Sequence, residues 1–153
     1  ASVIYPSVEI LLKEEKNQGL IDPKIYHSVE SKVKNFKNNL KKIVEEEKKK
    51  SGKLIGLGAP ARGVVILNYC NLGINDIEYL IDDTPLKQKK FSPGVHIPVK
   101  SWEELKSYKN QTFLLLSWNY KDHLLSKLKE HVQSCRVIIP FPNLEVKKIG
   151  WFK

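Results

Sequence analysis

The chain has 153 residues and is 41% hydrophobic, the size of one ordinary domain with enough apolar material for one core, which excludes a disordered tail. No apolar run approaches the ~20 residues of a membrane span, and the N-terminus lacks the basic-then-apolar pattern of a signal peptide. The net charge of +9 is carried by 26 basic residues of which only Arg62 and Arg136 are arginine; a Lys-rich, Arg-poor chain points to a solvated surface rather than a base-reading face, so neither a specific nucleic acid nor a membrane is an expected partner.

The charge is also localised. Residues 24–53 hold ten Lys against four Glu, and residues 87–100 hold four Lys and no acid. Cys70 and Cys135 both sit in apolar stretches and make no zinc pattern, so they read as two reduced, buried thiols of a cytoplasmic protein.

Two helices open the chain. Ser7–Gln18 places Val8, Leu11 and Leu12 on one side, with Gly19 as the stop. Asp22-Pro23 reads as an N-cap followed by Pro at the first helical position. From there Ile25, Val29, Val33, Phe36, Leu40, Ile43 and Val44 recur at spacings of three and four, one apolar stripe on a helix of about seven turns. It closes on Glu45 to Lys50, where each Glu precedes a Lys by three residues and the lysines lie at the negative end of the helix dipole. Residues 1–50 are expected to form a helical segment packed on a domain spanning 51–153, one structural domain overall.

After Ser51-Gly52 the pattern changes to short apolar runs, Lys53–Leu57, Ile77–Ile81, Thr112–Leu116 and Arg136–Ile139. Helical stretches separate them, at Pro60–Asn71, Ser101–Lys109 and Tyr120–Gln133. Alternating strands and helices predict an α/β fold: a Rossmann-like three-layer domain with a mainly parallel sheet of about four to five strands, preceded by the two N-terminal helices. Ser101 with Glu104 makes a capping box for the Ser101–Lys109 helix. Asp82–Pro98 is a long loop with three prolines; its Phe91, Val95 and Ile97 suggest that it packs down as a lip over a ligand.

Chemistry concentrates in the turn after the first strand, Gly56-Leu57-Gly58-Ala59-Pro60-Ala61-Arg62-Gly63. Glycines let the backbone turn sharply and let a ligand approach, and the helix start presents unpaired N–H groups to an anion. In dinucleotide-binding folds an acid near the end of the second strand takes ribose hydroxyls, and Asp82 stands there. The Gly-x-Gly-x-x-x-x-Gly spacing is longer than the usual one, and a turn needed only for packing fits it equally. Arg62, in the first helical turn, opposes the dipole and calls for compensation by a phosphate or by Asp82 or Asp83. Trp118-Asn119 follows the Thr112–Leu116 strand, where open α/β sheets bind ligands; the pair could stack on a base or sugar, or be a core Trp beside a capping Asn. His27, His96, His123 and His131 do not fall at metal-ligand spacing.

Five motifs in order carry a family resemblance: the glycine turn, Leu67-Asn68-Tyr69-Cys70, Asp82-Asp83-Thr84-Pro85-Leu86-Lys87-Gln88, Pro93-Gly94-Val95-His96-Ile97-Pro98, and Trp118-Asn119. Together they resemble the C-terminal domain of S-adenosylmethionine-dependent sugar C-methyltransferases, over nearly the whole chain. The family usually has Lys at Arg62, Gly at Lys89, Pro at Ser117 and an acid at His123. The resemblance implies that the chain is the last third of a longer enzyme. An N-terminal zinc domain and a middle domain for S-adenosylmethionine would precede it, acting on a nucleotide-linked keto-deoxysugar. On that reading this domain binds no methyl donor, carries no catalytic residue and holds no metal. It helps form the substrate site with Gly56, Gly58, Ala59, Arg62, Asp82, Lys87, Gln88, His96, Trp118 and Asn119, beside the other domains of the parent enzyme. The alternative is a stand-alone nucleotide-binding or protein-interaction module with the long basic helix as its partner face.

Overall fold

The computed structural model describes residues 5–105 and 110–150. The chain divides into two compact units, the first ending at Phe36 and the second beginning at Lys37. The division falls inside the second helix.

In the first unit, α1 (Pro6–Asn17) is followed by the start of α2 (Pro23–Ser51). The expected punctuation is in place. Gly19 takes φ +74, and the Gly19 and Leu20 amides donate to Lys16 and Glu15 carbonyls, both at 3.0 Å, closing α1. Asp22 Oδ1 accepts the Lys24 N–H at 2.9 Å and opens α2. Tyr26 Oη donates to Leu20 O at 2.6 Å, tying the corner to α2.

The second unit is a three-layer α/β/α arrangement. Its strands are β1 (Leu54–Leu57), β2 (Ile77–Ile81), β3 (Val99–Lys100), β4 (Gln111–Leu115), β5 (Ser134–Ile139) and β6 (Glu145–Gly150), in the order β3-β2-β1-β4-β5-β6. The first five run parallel, and β6 pairs antiparallel with β5. Because side chains alternate across a strand, Ile55, Leu57, Phe113, Leu115, Val137 and Ile139 form one face. They share a core with Leu124, Leu125 and Leu128 of α4 (Lys121–His131). The opposite face carries α3 (Ala61–Cys70) and the C-terminal part of α2, whose Leu40 and Val44 are fully buried. Strands covered on both faces explain why their sequences are apolar throughout.

Among the described residues six strands stand against the four to five expected. β3 has two residues, too few to show a period, and β6 buries only Ile149, so it resembles a polar loop. The Ser101–Lys109 helix is not formed as expected: a single 3₁₀ turn, Trp102–Glu104, is followed by Leu105 with an extended ψ of 108°. The Ser101 N–H donates to Glu104 Oε1 at 3.2 Å, a pair complete within one turn that needs no further helix. Residues 106–109 of that expectation lie outside the described residues.

The Asp82–Pro98 loop packs down only in part. Ile97 is buried, and its N–H donates to Ser92 Oγ at 3.0 Å, but Phe91 is 63% exposed. Both cysteines are buried free thiols.

Candidate functional site

The crossovers place α3 on one side of β1 and carry the chain back across it to β4, so the strand order reverses between β1 and β4. In open α/β sheets a crevice forms outside the carboxyl ends of the strands at that point. The glycines shape it. Gly58 adopts φ +85, and a Cβ there would lie 2.0 Å from Ser117 Oγ. Its N–H donates to Ile81 O at 2.7 Å, which pins the turn to the end of β2. Gly63 lets α3 approach β4, since a Cβ would meet Leu116 Cβ at 2.8 Å. Gly56 serves packing: its Cβ would strike Leu80 Cδ2 at 2.4 Å inside the sheet.

Asp82 is 8% exposed and fastens three segments together. Its Oδ2 accepts the Ala59 N–H at 2.7 Å and Lys87 Nζ at 3.1 Å, and its Oδ1 accepts the Thr84 N–H at 2.9 Å. Gln88 Nε2 donates to the Asp82 main-chain carbonyl at 3.0 Å. Burial pushes the Asp82 carboxyl up, but the hydrogen bonds from Thr84, Ala59 and Lys87 outweigh it and hold the group below its ordinary value.

A cavity of about 360 Å³ opens here, between the turn (Gly58, Pro60), the end of β2 (Ile81 to Thr84, with Lys87) and the segment after β4 (Ser117, Tyr120, His123, Leu124), with Trp102 against it. Arg62, Trp118 and Asn119 gather in a smaller adjoining cleft of about 30 Å³ that shares Pro60, Ser117 and Tyr120 with the cavity. The Arg62 guanidinium lies 5.5 Å from the Trp118 ring centroid, and Trp118 leans on Phe141 with centroids 5.0 Å apart. The π face of Trp118, rather than Asp82 or Asp83, faces the Arg62 charge. Asp82 is engaged with Lys87, and Asp83 pairs with Lys127.

Of the expected site residues, Gly58, Asp82 and Lys87 line the main cavity, and Ala59 and Lys87 line a neighbouring one of about 140 Å³. Arg62, Trp118 and Asn119 meet beside them. Gly56 lies within the sheet, Gln88 supports Asp82, and His96 is exposed, takes φ +52 and does not line the main cavity. Sequence reasoning gave no site role to Thr84, Trp102, Ser117, Tyr120 or His123, although Thr84 lies in the quoted Asp82–Gln88 motif. A usable signal existed for Ser117, which stands two residues past the end of β4, close to where Asp82 stands after β2. Among the described residues no group of His, Cys, Asp and Glu could hold a metal ion, and no helix is long and apolar enough to cross a membrane.

Strand order and glycine turn define a Rossmann-like α/β domain with a crevice at the reversal point of its sheet. The chain matches the family model described as C-methyltransferase C-terminal domain over residues 2–142. It is 31% identical over 144 residues to C-methyltransferase NovU of Streptomyces niveus, an alignment covering 94% of this chain and 34% of that protein. The chain belongs to the C-methyltransferase C-terminal domain family, and it spans about a third of the length of the relative it matches.

Proposed function

We propose that this chain is the C-terminal domain of a sugar C-methyltransferase and that its crevice forms part of the site for a nucleotide-linked keto-deoxysugar. The observation that carries this reading is the cavity at the sheet's reversal point, in a domain of this family. Its volume of about 360 Å³ is near the lower end for ligand pockets, roughly 300–1,000 Å³, so a nucleotide sugar needs further walls. The other domains of the parent enzyme supply them.

Roles follow from exposure and partners. Arg62 is exposed and makes no ion pair among the described residues, which suits a phosphate or a sugar oxygen. Trp118 and Tyr120 offer aromatic faces, and Ser117 and Asn119 offer hydrogen-bonding groups. Asp82, with Lys87 and Gln88, holds the turn in place.

In this reading Asp82, whose oxygens accept hydrogen bonds from Ala59, Lys87 and Thr84, braces the turn rather than binding the methyl donor. The reading assigns the methyl donor to another domain of the parent enzyme, which acts in the cytoplasm, in keeping with the two free thiols.

Calorimetric titration of the domain with a nucleotide-linked deoxysugar and with S-adenosylmethionine tests this. A response to the sugar nucleotide that weakens about tenfold in Arg62→Ala is expected, as for loss of one charge-assisted contact. Tight methyl-donor binding with no response to the sugar nucleotide would overturn it.

A further inference from the structure

The long helix α2 carries one apolar stripe with two fates. Leu40 and Val44 are 0% exposed, whereas Ile25, Val29 and Val33 of the same stripe are 37%, 46% and 39% exposed. The preceding helix repeats this. Val8, Leu11 and Leu12 recur at helical spacing and are 45%, 55% and 59% exposed, and no residue of α1 is buried. A twelve-residue helix that buries nothing is marginal in water, because most helical stability comes from packing an apolar face. Large apolar side chains left exposed at helical spacing on two successive helices point to an interaction site.

We propose that the exposed apolar stripes of α1 and of the N-terminal half of α2 are where the rest of the parent C-methyltransferase chain docks; this rests on the reading given under Proposed function. Three observations choose this occupant. The first unit, up to Phe36, has five Lys against five acids, while the whole chain carries +9. A unit without net charge that exposes apolar stripes suits a protein surface and not an anionic lipid or nucleic acid. The family match begins at residue 2, so both helices belong to the family's domain rather than to an unrelated extension. The matched relative has about two thirds of its length outside the alignment, so a chain of this family has the material to cover the face.

The test compares hydrogen exchange in the 153-residue chain and in the full product of its reading frame. Amides of residues 7–36 are expected to exchange at least about tenfold more slowly in the full product, where opening the helices also requires undocking. Val29→Lys with Val33→Lys is expected to restore fast exchange in the full product. In the short chain the same pair leaves the thermal midpoint unchanged, because both sites are exposed and Lys is a better helix former than Val. Equal exchange in the two proteins would overturn the proposal, as would a reading frame that supplies no such chain. Slow, concentration-dependent exchange in the short chain would overturn it too, because it would assign the face to a second copy. Methyl transfer by the full product to a nucleotide-linked keto-deoxysugar is measured separately. Its absence sinks the enzymatic reading and leaves the exchange result standing.

Discussion

Asp82 Oδ2 accepts the Ala59 N–H at 2.7 Å, so the end of β2 holds the turn that follows β1. The contact joins residues 23 apart in sequence at the mouth of the crevice. Asp82→Ala leaves the Ala59 and Thr84 amides and the Lys87 ammonium without their acceptor. Hydrogen bonds to a charged group contribute about 1.5–3 kcal/mol, and the expected loss in urea unfolding is about 2–4 kcal/mol. The folded carboxyl lies below its ordinary value of 3.8, so its stabilisation is complete above that value and is lost as pH falls through the lower, folded one. Asp82→Asn should therefore lose stability at neutral pH and show a shallower decline below pH 4. An unchanged acid limb would sink this assignment.

Gly58 and Ser117 are coupled by space. Gly58→Ala places a methyl 2.0 Å from Ser117 Oγ on a residue already at φ +85. The backbone strain alone is about 1–2 kcal/mol, and the clash adds to it. In Gly58→Ala with Ser117→Gly the clash disappears and the strain remains. The double variant should be more stable than the sum of the two single losses predicts, by about 1 kcal/mol or more in chemical denaturation. Simple additivity would show that the turn moves aside freely.

The glycine turn, its strand and its helix were legible in the sequence because their signals are local: apolar runs, punctuation by Gly and Pro, and Asp82 at the next strand end. The four covered strands were legible for the same reason. What escaped depended on pairing across the sheet. Val99-Lys100 becomes β3 only because β2 lies beside it, and Glu145–Gly150 becomes β6 by lying along β5 with a single buried side chain. Part of the crevice lining escaped likewise, beyond Gly58, Asp82 and Lys87. Tyr120 and His123 look like ordinary residues at a helix start, and only the return of the chain to β4 brings them opposite Gly58 and Asp82. Arg62 posed an electrostatic question that the sequence framed, and Trp118 answers it through a ring face that composition does not reveal.

Glu47, one of three successive acids near the end of α2, is only 3% exposed. Its Oε2 accepts from Arg136 Nε and from Thr112 Oγ1, and its Oε1 accepts from Lys50 Nζ at 2.6 Å, which fixes α2 to β4 and β5. Burial pushes the carboxyl up, and the bonds from Lys50, Arg136 and Thr112 bring it below its ordinary value. Removing one member of such a pair costs about 3–5 kcal/mol, because the remaining charge is stranded. Arg136→Leu should lose that much, and Glu47→Leu with Arg136→Leu should regain at least half of it. A double variant no better than the single one would show that the pair is not coupled.

The two cysteines give a chemical reading of core integrity. Burial pushes the Cys135 thiol up to about 11 and raises Cys70 as well, although Lys37 and Lys41 pull Cys70 the other way. The thiolate is the reactive form, and both sulfurs are also shut away from reagent, Cys70 and Cys135 being 0% exposed. At pH 8 the native chain should react with neither equivalent of a disulfide reagent such as dithionitrobenzoate, and two thiols should appear on unfolding in urea. Because Cys135 lies on β5 in the core shared with α4, and Cys70 closes α3, partial release under native conditions would report local opening of one layer. Rapid reaction of either thiol in the absence of denaturant would contradict the packing of that layer.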